Sequence, residues 1–249
     1  MLDSVGGRNR QFSKAGAAAA MLAVLALAGC PSARRTAPPP PAVPGAPATD
    51  IAPPAAGATR YRVDSGASLV VMLAYRGGTL AALGHNHVIA SRALQGVVDV
   101  REPLTASTFE LRLPLASLTV DEPALRSRHG PDFAGPVPDS AREGTRHNML
   151  GEGLLDAADF PQLSVRSLSL SGGPHNFAAR IEVNLRGQSH AVDVPVQVDR
   201  PDADRLHVAA RFPVAQSALG LAPFRVMLGA LQVEDLIGVE VDISARRVP

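Results

Sequence analysis

Beyond residue 60 the chain repeatedly alternates apolar and polar residues, and this alternation is its clearest pattern. A period of two is typical of strands that bury one face and expose the other. The alternation is strongest in residues 108–115, 176–186, 191–199 and 238–246. Weaker strands are predicted at residues 68–75, 94–101, 163–170 and 206–212. The pattern therefore predicts about eight strands.

Short turns separate several of these strands. Their sequences are Gly77-Gly78, Gly172-Gly173-Pro174 and Arg186-Gly187-Gln188, which are typical of tight connections. Short connections favour an antiparallel meander, and closing such a sheet removes its exposed edges. We therefore predict an all-β fold, a single antiparallel, roughly eight-stranded barrel whose interior fits side chains or one small ligand.

Two segments interrupt the alternation. Residues 121–160 are polar, rich in glycine and proline, and contain the runs 146–150 and 154–158. Loops of this length are usually functional or mobile. We predict one or two short helices here, placed so that they could cap one mouth of the barrel. Residues 219–231 are mostly apolar and are predicted to line the barrel as a helix or a loop.

Residues 1–29 have the features of a secretory signal peptide. Arg8, Arg10 and Lys14 precede residues 15–29, which carry no charge, and a basic segment before an apolar one is typical of such a signal. The apolar run is shorter than the ~20 residues that cross a bilayer as a helix. We therefore expect a secreted protein.

The only cysteine of the chain, Cys30, ends the sequence Leu27-Ala28-Gly29-Cys30. This sequence resembles the lipobox of bacterial lipoproteins, and the resemblance implies that Cys30 is acylated and becomes the mature N-terminus. The alternatives are a cleaved signal with an incidental cysteine and an uncleaved membrane anchor. Pro31 stands where inner-membrane lipoproteins of Gram-negative bacteria carry an aspartate, which favours the outer membrane.

The chain is therefore divided into a signal (residues 1–29), the acylated cysteine with a tether (30–59) and a folded domain (60–249). Proline and alanine dominate the tether, which cannot bury enough apolar surface to offset its ordering entropy. Without the signal, which holds three basic residues and one acidic residue, the formal net charge changes from +1 to −1. No basic patch indicates a nucleic-acid partner, and acylation of Cys30 leaves no thiol for disulfides or metals.

No catalytic residue is predicted. The carboxylates of Asp64, Asp99, Asp121 and Glu122 have no partner that their spacing identifies as an acid–base pair. The sequence has neither the Gly-x-Ser-x-Gly context of a nucleophile elbow nor a glycine-rich phosphate loop. We therefore expect a binding protein and not an enzyme.

His85 and His87 are the most suggestive polar residues. Histidines at positions i and i+2 of a strand point to the same side, so they could form half of a zinc or copper site. The third ligand would be His147, with His129 and His190 as further candidates. Two alternatives remain open: the histidines could be hydrogen-bonded at one mouth of the barrel, or they could contact the head group of a ligand. We do not favour a metal site.

The inward rows of the strands predict an apolar interior. Such walls suit the chain of a lipid, with polar groups needed only at the mouth for a head group. The alternative is a core filled by side chains. The predicted lining residues are Phe109, Leu111, Leu113, Phe177, Ile181, Val183, Phe212, Phe224 and Met227.

Several motifs resemble the YceI-like family in order and spacing. They include Tyr61-Arg62-Val63-Asp64, the run from Asp156 to Pro161, and Leu185-Arg186-Gly187. The resemblance covers nearly all of residues 60–249. It implies a lipocalin-like barrel in the bacterial cell envelope that holds isoprenoid-type or other amphiphilic chains and has no secure enzymatic activity. Residues 146–150 depart from the family's usual pattern, which leaves the ligand's identity open.

Together these features predict an envelope lipoprotein that faces the periplasm or the exterior and binds an isoprenoid-like or fatty-acyl amphiphile. The predicted partners are this hydrophobic ligand and the membrane that holds the acyl anchor, and a homodimer is left open. Two alternatives remain. One is a metal-binding or redox accessory protein that uses His85 and His87, and the other is a structural or stress-related lipoprotein with a filled core.

Replacing Cys30 with serine tests the predicted anchor. The Cys30→Ser protein cannot be acylated, so we expect a soluble, misplaced protein whose barrel still folds and binds its ligand. Membrane fractionation measures the first effect, and circular dichroism measures the second. Loss of folding on this change would contradict the role given to Cys30.

Overall fold

The structure is a computed structural model that describes Pro54 and residues 56–249. The predicted signal peptide, Cys30 and the tether before Pro54 lie outside the described residues. Within the described part of the chain, no helix is both long and apolar enough to cross a membrane.

The secondary structure consists mainly of strands. The strands are β1 (Thr59–Val63), β2 (Leu69–Ala74), β3 (Arg76–Gly77), β4 (His87–Ser91), β5 (Gln95–Val100), β6 (Thr108–Pro114), β7 (Thr119–Val120), β8 (Gln162–Gly172), β9 (Asn176–Leu185), β10 (Gln188–Asp199), β11 (Arg205–Ala215), β12 (Arg225–Val226), β13 (Leu231–Val233) and β14 (Leu236–Arg247). The α-helices are α1 (Pro123–Arg126) and α2 (Asp139–Leu150). Each of the eight predicted strands is present with shifted ends.

The strands form a closed antiparallel barrel. Hydrogen-bonded neighbours follow the order β1, β5, β6, β8, β9, β10, β11, β14, and β14 pairs with β1 to close the ring. Three of the barrel strands are interrupted and consist of two parts each: β1 and β2, β4 and β5, and β6 and β7. The parts β2, β4 and β7 continue the barrel towards its other end, where β2 is hydrogen-bonded to β14 and to β4, and β4 is hydrogen-bonded to β7. The barrel is therefore an eight-stranded up-and-down meander, as predicted.

Ser68 marks the bend between β1 and β2. A 3-10 turn at Ser65–Ala67 interrupts the strand there. The buried Ser68 hydroxyl donates to the carbonyl oxygen of Asp64 at 2.8 Å and accepts from the backbone N–H of Ser244 at 3.1 Å. Ser244 belongs to β14, so this side chain fastens the bend to the strand that pairs with both halves.

The strand β4 was not predicted, and its burial explains why. Val88, Ile89 and Ala90 are all buried, so the strand shows no alternation of apolar and polar residues. Ile89 faces the barrel core, whereas Val88 and Ala90 pack outward against Leu125 of α1 and Phe133. A local cover outside the barrel therefore hides one part of the sheet from solvent.

The meander places the connections at two ends of the barrel. The terminal end carries the start of β1, the end of β14 and the connecting residues 101–107, 173–175 and 200–204. The loop end carries the longer connections at residues 75–86, 121–161 and 216–235. Residues 121–161 include α1 and α2, which agrees with the predicted loop with one or two short helices. Residues 154–158 form no helix.

A small accessory sheet is attached to the loop end. It consists of β12, β13 and β3 in that order, with 3-10 turns at Ala81–Leu83 and Met227–Gly229. We call these elements together the flap. The flap occupies part of the apolar segment 219–231 that was predicted to line the barrel.

A buried carboxylate, that of Asp121, connects β4 to the segment that begins with α1. Its Oδ2 lies 2.6 Å from Nδ1 of His87, and its Oδ1 accepts from Arg126 at 2.5 Å and from the Val88 backbone N–H at 2.9 Å. Arg126 also donates to the carbonyl oxygens of Asn86 and Gly135. Several long-range contacts thus depend on one side chain.

Two opposing effects act on the pKa of Asp121. Burial raises the pKa, because it penalises the charged form. Hydrogen bonds from His87, Val88 and Arg126 and the charge of His87 outweigh burial, so the pKa lies below its ordinary value of 3.8. The group is therefore a carboxylate in the folded protein at neutral pH.

Gly96 is required where β5 passes β6. Its φ is 146°, and a Cβ there would lie 2.2 Å from the carbonyl oxygen of Glu110 and 2.8 Å from Cα of Leu111. Both are backbone atoms of β6, so a larger residue would force the two strands apart. Only glycine combines this backbone conformation with this approach.

Replacing Gly96 with alanine should lower the free energy of unfolding by at least about 2 kcal/mol, through backbone strain and lost strand pairing. Urea unfolding measures this. The control Gly144→Ala lies in α2, where an added Cβ meets no atom within 4 Å, and it should raise stability by about 0.5–1 kcal/mol. Equal stability of Gly96→Ala and wild type would show that β5 and β6 can separate freely.

Replacing Asp121 with alanine should lower the free energy of unfolding at pH 7 by about 3–5 kcal/mol, because Arg126 becomes a buried unpaired charge. Because the pKa of Asp121 is lower in the folded protein than in the unfolded chain, the ionised carboxylate stabilises the fold above the ordinary pKa. This stabilisation disappears as the pH falls through the pKa that Asp121 has in the folded protein. The difference between wild type and variant should therefore shrink below about pH 4. Urea unfolding across this pH range measures it.

Asp193→Ala is the control for the buried carboxylate. Asp193 pairs with Arg180 at 3.0 Å on the exposed face of the barrel, and exposed pairs contribute about 0–1 kcal/mol. A loss for Asp121→Ala as small as that for Asp193→Ala would mean that the buried ion pair is not needed for stability.

Candidate functional site

The barrel encloses a cavity of about 260 Å³. Its wall is formed by inward-facing residues of the barrel strands, such as Val192, Val194 and Val196 of β10. Every residue of the wall is apolar except Ser107 and Arg200. The cavity is slightly smaller than the about 300–1,000 Å³ of drug-sized ligand pockets, and its apolar wall suits an apolar chain.

The sequence explains why this interior is not filled. The chain contains no tryptophan, and only 4% of its residues are aromatic. Valine, leucine and isoleucine dominate the wall, and Ala210 of β11 also faces it. Valine and isoleucine are stiff at χ1, so the wall has few side chains that can turn inward to occupy the space.

The two ends of the cavity differ in chemistry. At the loop end, Leu154 and Leu155 pack against the buried apolar side chains of the barrel, and Leu221 is part of the same packing. The two polar wall residues, Ser107 and Arg200, lie in the connections of the terminal end. We call the part of the wall around these two residues the rim.

Arg200 at the rim is partly exposed and has one charged partner. Its guanidinium donates to Oε1 of Glu102 at 3.3 Å, and both side chains are accessible to solvent. Such a pair contributes little to stability. Arg200 can therefore exchange this partner for another anion without disturbing the barrel.

The structure brings seven of the nine predicted lining residues together on the cavity wall. They are Phe109, Leu111, Leu113, Phe177, Ile181, Val183 and Phe212. Their alternation along β6, β9 and β11 placed them on the inner face. Whether they contact a ligand stays a prediction.

Phe224 and Met227 are not part of this wall, so their predicted position in the interior is wrong. The chain turns at Gly220, whose φ is 70°, and after Leu221 it enters the flap. Phe224, directly before the flap, is 39% exposed, and Met227, within the flap, is 66% exposed. Their apolar character alone could not reveal which surface they occupy.

Sequence reasoning also missed wall residues that the same alternation could have found. The inner faces of β10, β11 and β14 contribute Val194, Val208 and Val241 to the cavity. All three lie in strands that were predicted correctly. Leu104 and Arg200, in contrast, lie in connections, where no periodic pattern indicates them.

His85 and His87 lie close together, but they differ in environment. Their ring centroids are 6.2 Å apart. His85 is exposed, whereas His87 is held through Nδ1 by Asp121, and its Nε2 lies 3.4 Å from Oγ1 of Thr145 on α2. His87 therefore belongs to the buried ion pair that positions the connection after β7.

The candidates for a third metal ligand lie elsewhere. His147 is exposed on α2. His129 packs against Phe133, and its Nδ1 lies 3.9 Å from Oε1 of Glu240. His190 lies beside Gly220, with a buried Nε2 that has no hydrogen-bond partner. Among the residues that the structure describes, no three histidine, cysteine, aspartate or glutamate side chains are arranged to hold a metal.

Two of the other carboxylates considered for catalysis, Asp99 and Glu122, are engaged in ion pairs. Asp99 accepts two hydrogen bonds from Arg60, both at 2.7 Å. Glu122 accepts from Arg92 at 2.9 Å, and this hydrogen bond is the main reason why the pKa of Glu122 lies below its ordinary value. Both carboxylates lie at the barrel surface and outside the cavity wall.

Several solved structures resemble the barrel, including one from Burkholderia cenocepacia and one from Saccharophagus degradans. BcnA of Burkholderia cenocepacia shares 14% identity, with a TM-score of 0.53 over 73% of this chain and 98% of that one. A polyisoprenoid binding domain from Saccharophagus degradans, implicated in plant cell wall breakdown, also shares 14% identity. Its TM-score is 0.51 over 76% of this chain and 98% of that one. Identities this low show a common fold only.

No functionally curated protein shows a significant match to the sequence. Residues 61–245 match the YceI-like domain, which covers almost the whole barrel from β1 to near the end of β14. This match extends over more than half of the chain and agrees with the motifs at Tyr61, Asp156 and Gly187. The chain therefore belongs to the YceI-like family.

Proposed function

We propose that this protein is a cell-envelope lipoprotein whose barrel binds a hydrophobic amphiphile, either isoprenoid-like or fatty-acyl. The observation that carries the proposal is a cavity with an apolar wall and polar residues only at the rim. A structural neighbour is described as a polyisoprenoid binding domain, which supports the same class of ligand. The proposed role is binding, storage or transport, without a covalent step.

Apolar burial alone can supply the affinity. Each methylene group removed from water contributes about 0.8 kcal/mol, so about ten methylenes contribute about 8 kcal/mol before the entropic costs of association. The strands form the wall before any ligand arrives, which limits the ordering cost. A wall without hydrogen-bonding groups also favours the ligand chain over water.

The head group of the ligand would remain at the rim. Burying a polar group among apolar side chains without a hydrogen bond costs about 1–3 kcal/mol or more. At the rim, Ser107 offers a hydroxyl and Arg200 a guanidinium, which binds phosphate or carboxylate groups well. We therefore propose a ligand whose head group is anionic or strongly polar.

The proposed anchor agrees with the course of the chain. The first barrel residue, Thr59, lies at the terminal end, which also holds the rim. The 29 residues from Pro31 to Thr59, if extended as polyproline II at ~3.1 Å per residue, would reach about 90 Å. An acylated Cys30 would thus let the rim approach its own membrane to load or unload a lipid.

Lipid extraction tests the proposal directly. The protein is purified from the envelope of its host, extracted with organic solvent and examined by mass spectrometry of the extract. We expect one lipid class to be retained in a fixed ratio to protein. Retention of no lipid after mild purification, together with no binding of added isoprenoid or fatty-acyl amphiphiles, would favour a structural role.

Filling the cavity should remove the ligand and keep the fold. Ala210 faces the cavity, so Ala210→Phe places a ring in the path of the ligand chain. We expect the retained lipid to fall at least about tenfold, which corresponds to about 1.4 kcal/mol. Lipid mass spectrometry measures the retained amount, and circular dichroism confirms the fold.

Ala209→Phe is the matched control. Ala209 is the neighbour of Ala210 on the opposite face of β11, where it pairs with Asp242 and not with the cavity-facing Val241. The same ring added there should leave the retained lipid unchanged. Equal losses in both variants would indicate a general effect on the strand, and no loss in either would place the ligand outside the cavity.

A further inference from the structure

The flap exposes apolar side chains to an unusual degree. Seven large apolar residues are exposed in the described part of the chain. Five of them belong to the flap or the residue before it, namely Leu83, Phe224, Val226, Met227 and Leu228. Single exposed apolar residues are ordinary on a soluble protein, but a concentration in one small element indicates a surface for interaction.

The backbone holds two of these side chains outward. Met227 and Leu228 have φ values of 52° and 57°, in the left-handed region that side chains other than glycine and asparagine seldom adopt. Leu228 is fully exposed, and Met227 is 66% exposed. The turn thus accepts a strained conformation without burying either side chain in the protein.

The outer part of the flap carries no charge. Residues 77–84 and 226–233 contain no acidic or basic side chain, in a chain in which 19% of residues are charged. A hydrogen bond of 2.8 Å from the Leu80 N–H to the Ala230 carbonyl oxygen joins the two segments. We call residues 77–84 and 226–233 the tip.

Two arginines and two acids lie next to the tip, and the guanidinium of Arg76 donates to the carbonyl oxygen of Gly84 at 2.8 Å. Arg76 and Arg225 directly precede the two segments of the tip, and both side chains are exposed. The carboxylate of Asp235, below the flap, accepts hydrogen bonds from the backbone and hydroxyl of Ser217. Glu234 lies against Gly77. The tip is therefore uncharged, and the exposed side chains of Arg76, Arg225 and Glu234 lie at its border.

This combination fits a lipid bilayer better than a protein partner. A protein interface needs a surface of matching shape, whereas Leu228 projects fully exposed from a turn. A fluid acyl-chain layer accepts such a side chain without a preformed pocket, and arginines at the border can pair with lipid phosphates.

We propose that the tip is a membrane-docking element that inserts Met227 and Leu228 into the acyl-chain region of an anionic lipid bilayer. This proposal does not depend on a ligand in the cavity, and it concerns the loop end of the barrel and not the rim. It adds a reversible contact with lipid to the acyl anchor proposed at Cys30.

A tryptophan reporter tests the insertion at a defined position. The chain contains no tryptophan, so Leu228→Trp introduces a single reporter at the tip. Leu168→Trp is the control, because Leu168 is exposed on β8 outside the flap. Both variants are made in the full chain with Cys30→Ser, so that any binding through residues 1–55 affects both equally.

The vesicles contain phosphatidylethanolamine and phosphatidylglycerol, with or without bromine on the acyl chains. We expect vesicles to shift the emission of the Leu228→Trp protein to shorter wavelength and brominated chains to quench it, with neither effect for Leu168→Trp. The absence of quenching at the tip would overturn the proposal. A shift that depends on protein concentration without vesicles would also overturn it, in favour of self-association.

A second variant separates insertion from the reporter. The double variant Met227→Asn with Leu228→Asn removes both apolar side chains and introduces asparagines, which tolerate the left-handed backbone conformation. We expect the partition coefficient onto the same vesicles to fall at least tenfold relative to Cys30→Ser alone, as measured by co-sedimentation. An unchanged partition coefficient would show that the tip contributes nothing to membrane binding.

Discussion

The closure of the sheet by β14 is the constraint on which the rest of the structure depends. This strand pairs with β1 through its C-terminal part, where Arg247 lies opposite Tyr61, and with β2 through its middle, where Gly238 lies opposite Leu73. Because side chains alternate with a period of two, a slip of one residue would move every apolar row of one strand from the interior to the outer face. The cavity exists only while this register is kept, and the bend at Ser68 allows one strand to serve both partners.

Much of the barrel could be predicted because most of its strands bury one face and expose the other to solvent. In such a strand, apolar and polar residues must alternate. The alternation in β9 placed Phe177, Ile181 and Val183 on the wall correctly. It failed where a second layer covers the sheet: β4 is buried on both faces, so its sequence resembles a general apolar segment. It also failed in the flap, because an apolar residue on a loop gives no sign of whether it faces the core or solvent. The departures from periodic burial are therefore the positions that only the tertiary structure could assign.

The His85–His87 pair shows a different limit of sequence reasoning. The spacing correctly placed two imidazoles near each other, but the partner that decides the role of His87 is Asp121, 34 residues away. A buried carboxylate requires several hydrogen bonds, and those from His87, Val88 and Arg126 provide them. No short motif records a contact made by a long connection that folds back on the sheet. The histidine is therefore explained by the packing of this connection, which also covers β4.

The cavity and the tip use the same hydrophobic effect under opposite structural conditions. In the cavity, the strands hold the wall in place, so the apolar surface is concave and lies inside the barrel. At the tip, two side chains are held in water on a convex turn, where nothing in the described chain covers them. For the proposed ligand, the cavity would select by the length and width of the chain, and the rim at Ser107 and Arg200 would recognise the head group. The tip could not select a lipid by its shape, because a fluid bilayer presents no fixed shape to it. The two proposals therefore place different requirements on the molecule: the cavity would distinguish one lipid chain from others, whereas the tip would contact many lipids. The rim and the tip lie at opposite ends of the barrel, so each surface can meet its own requirement separately.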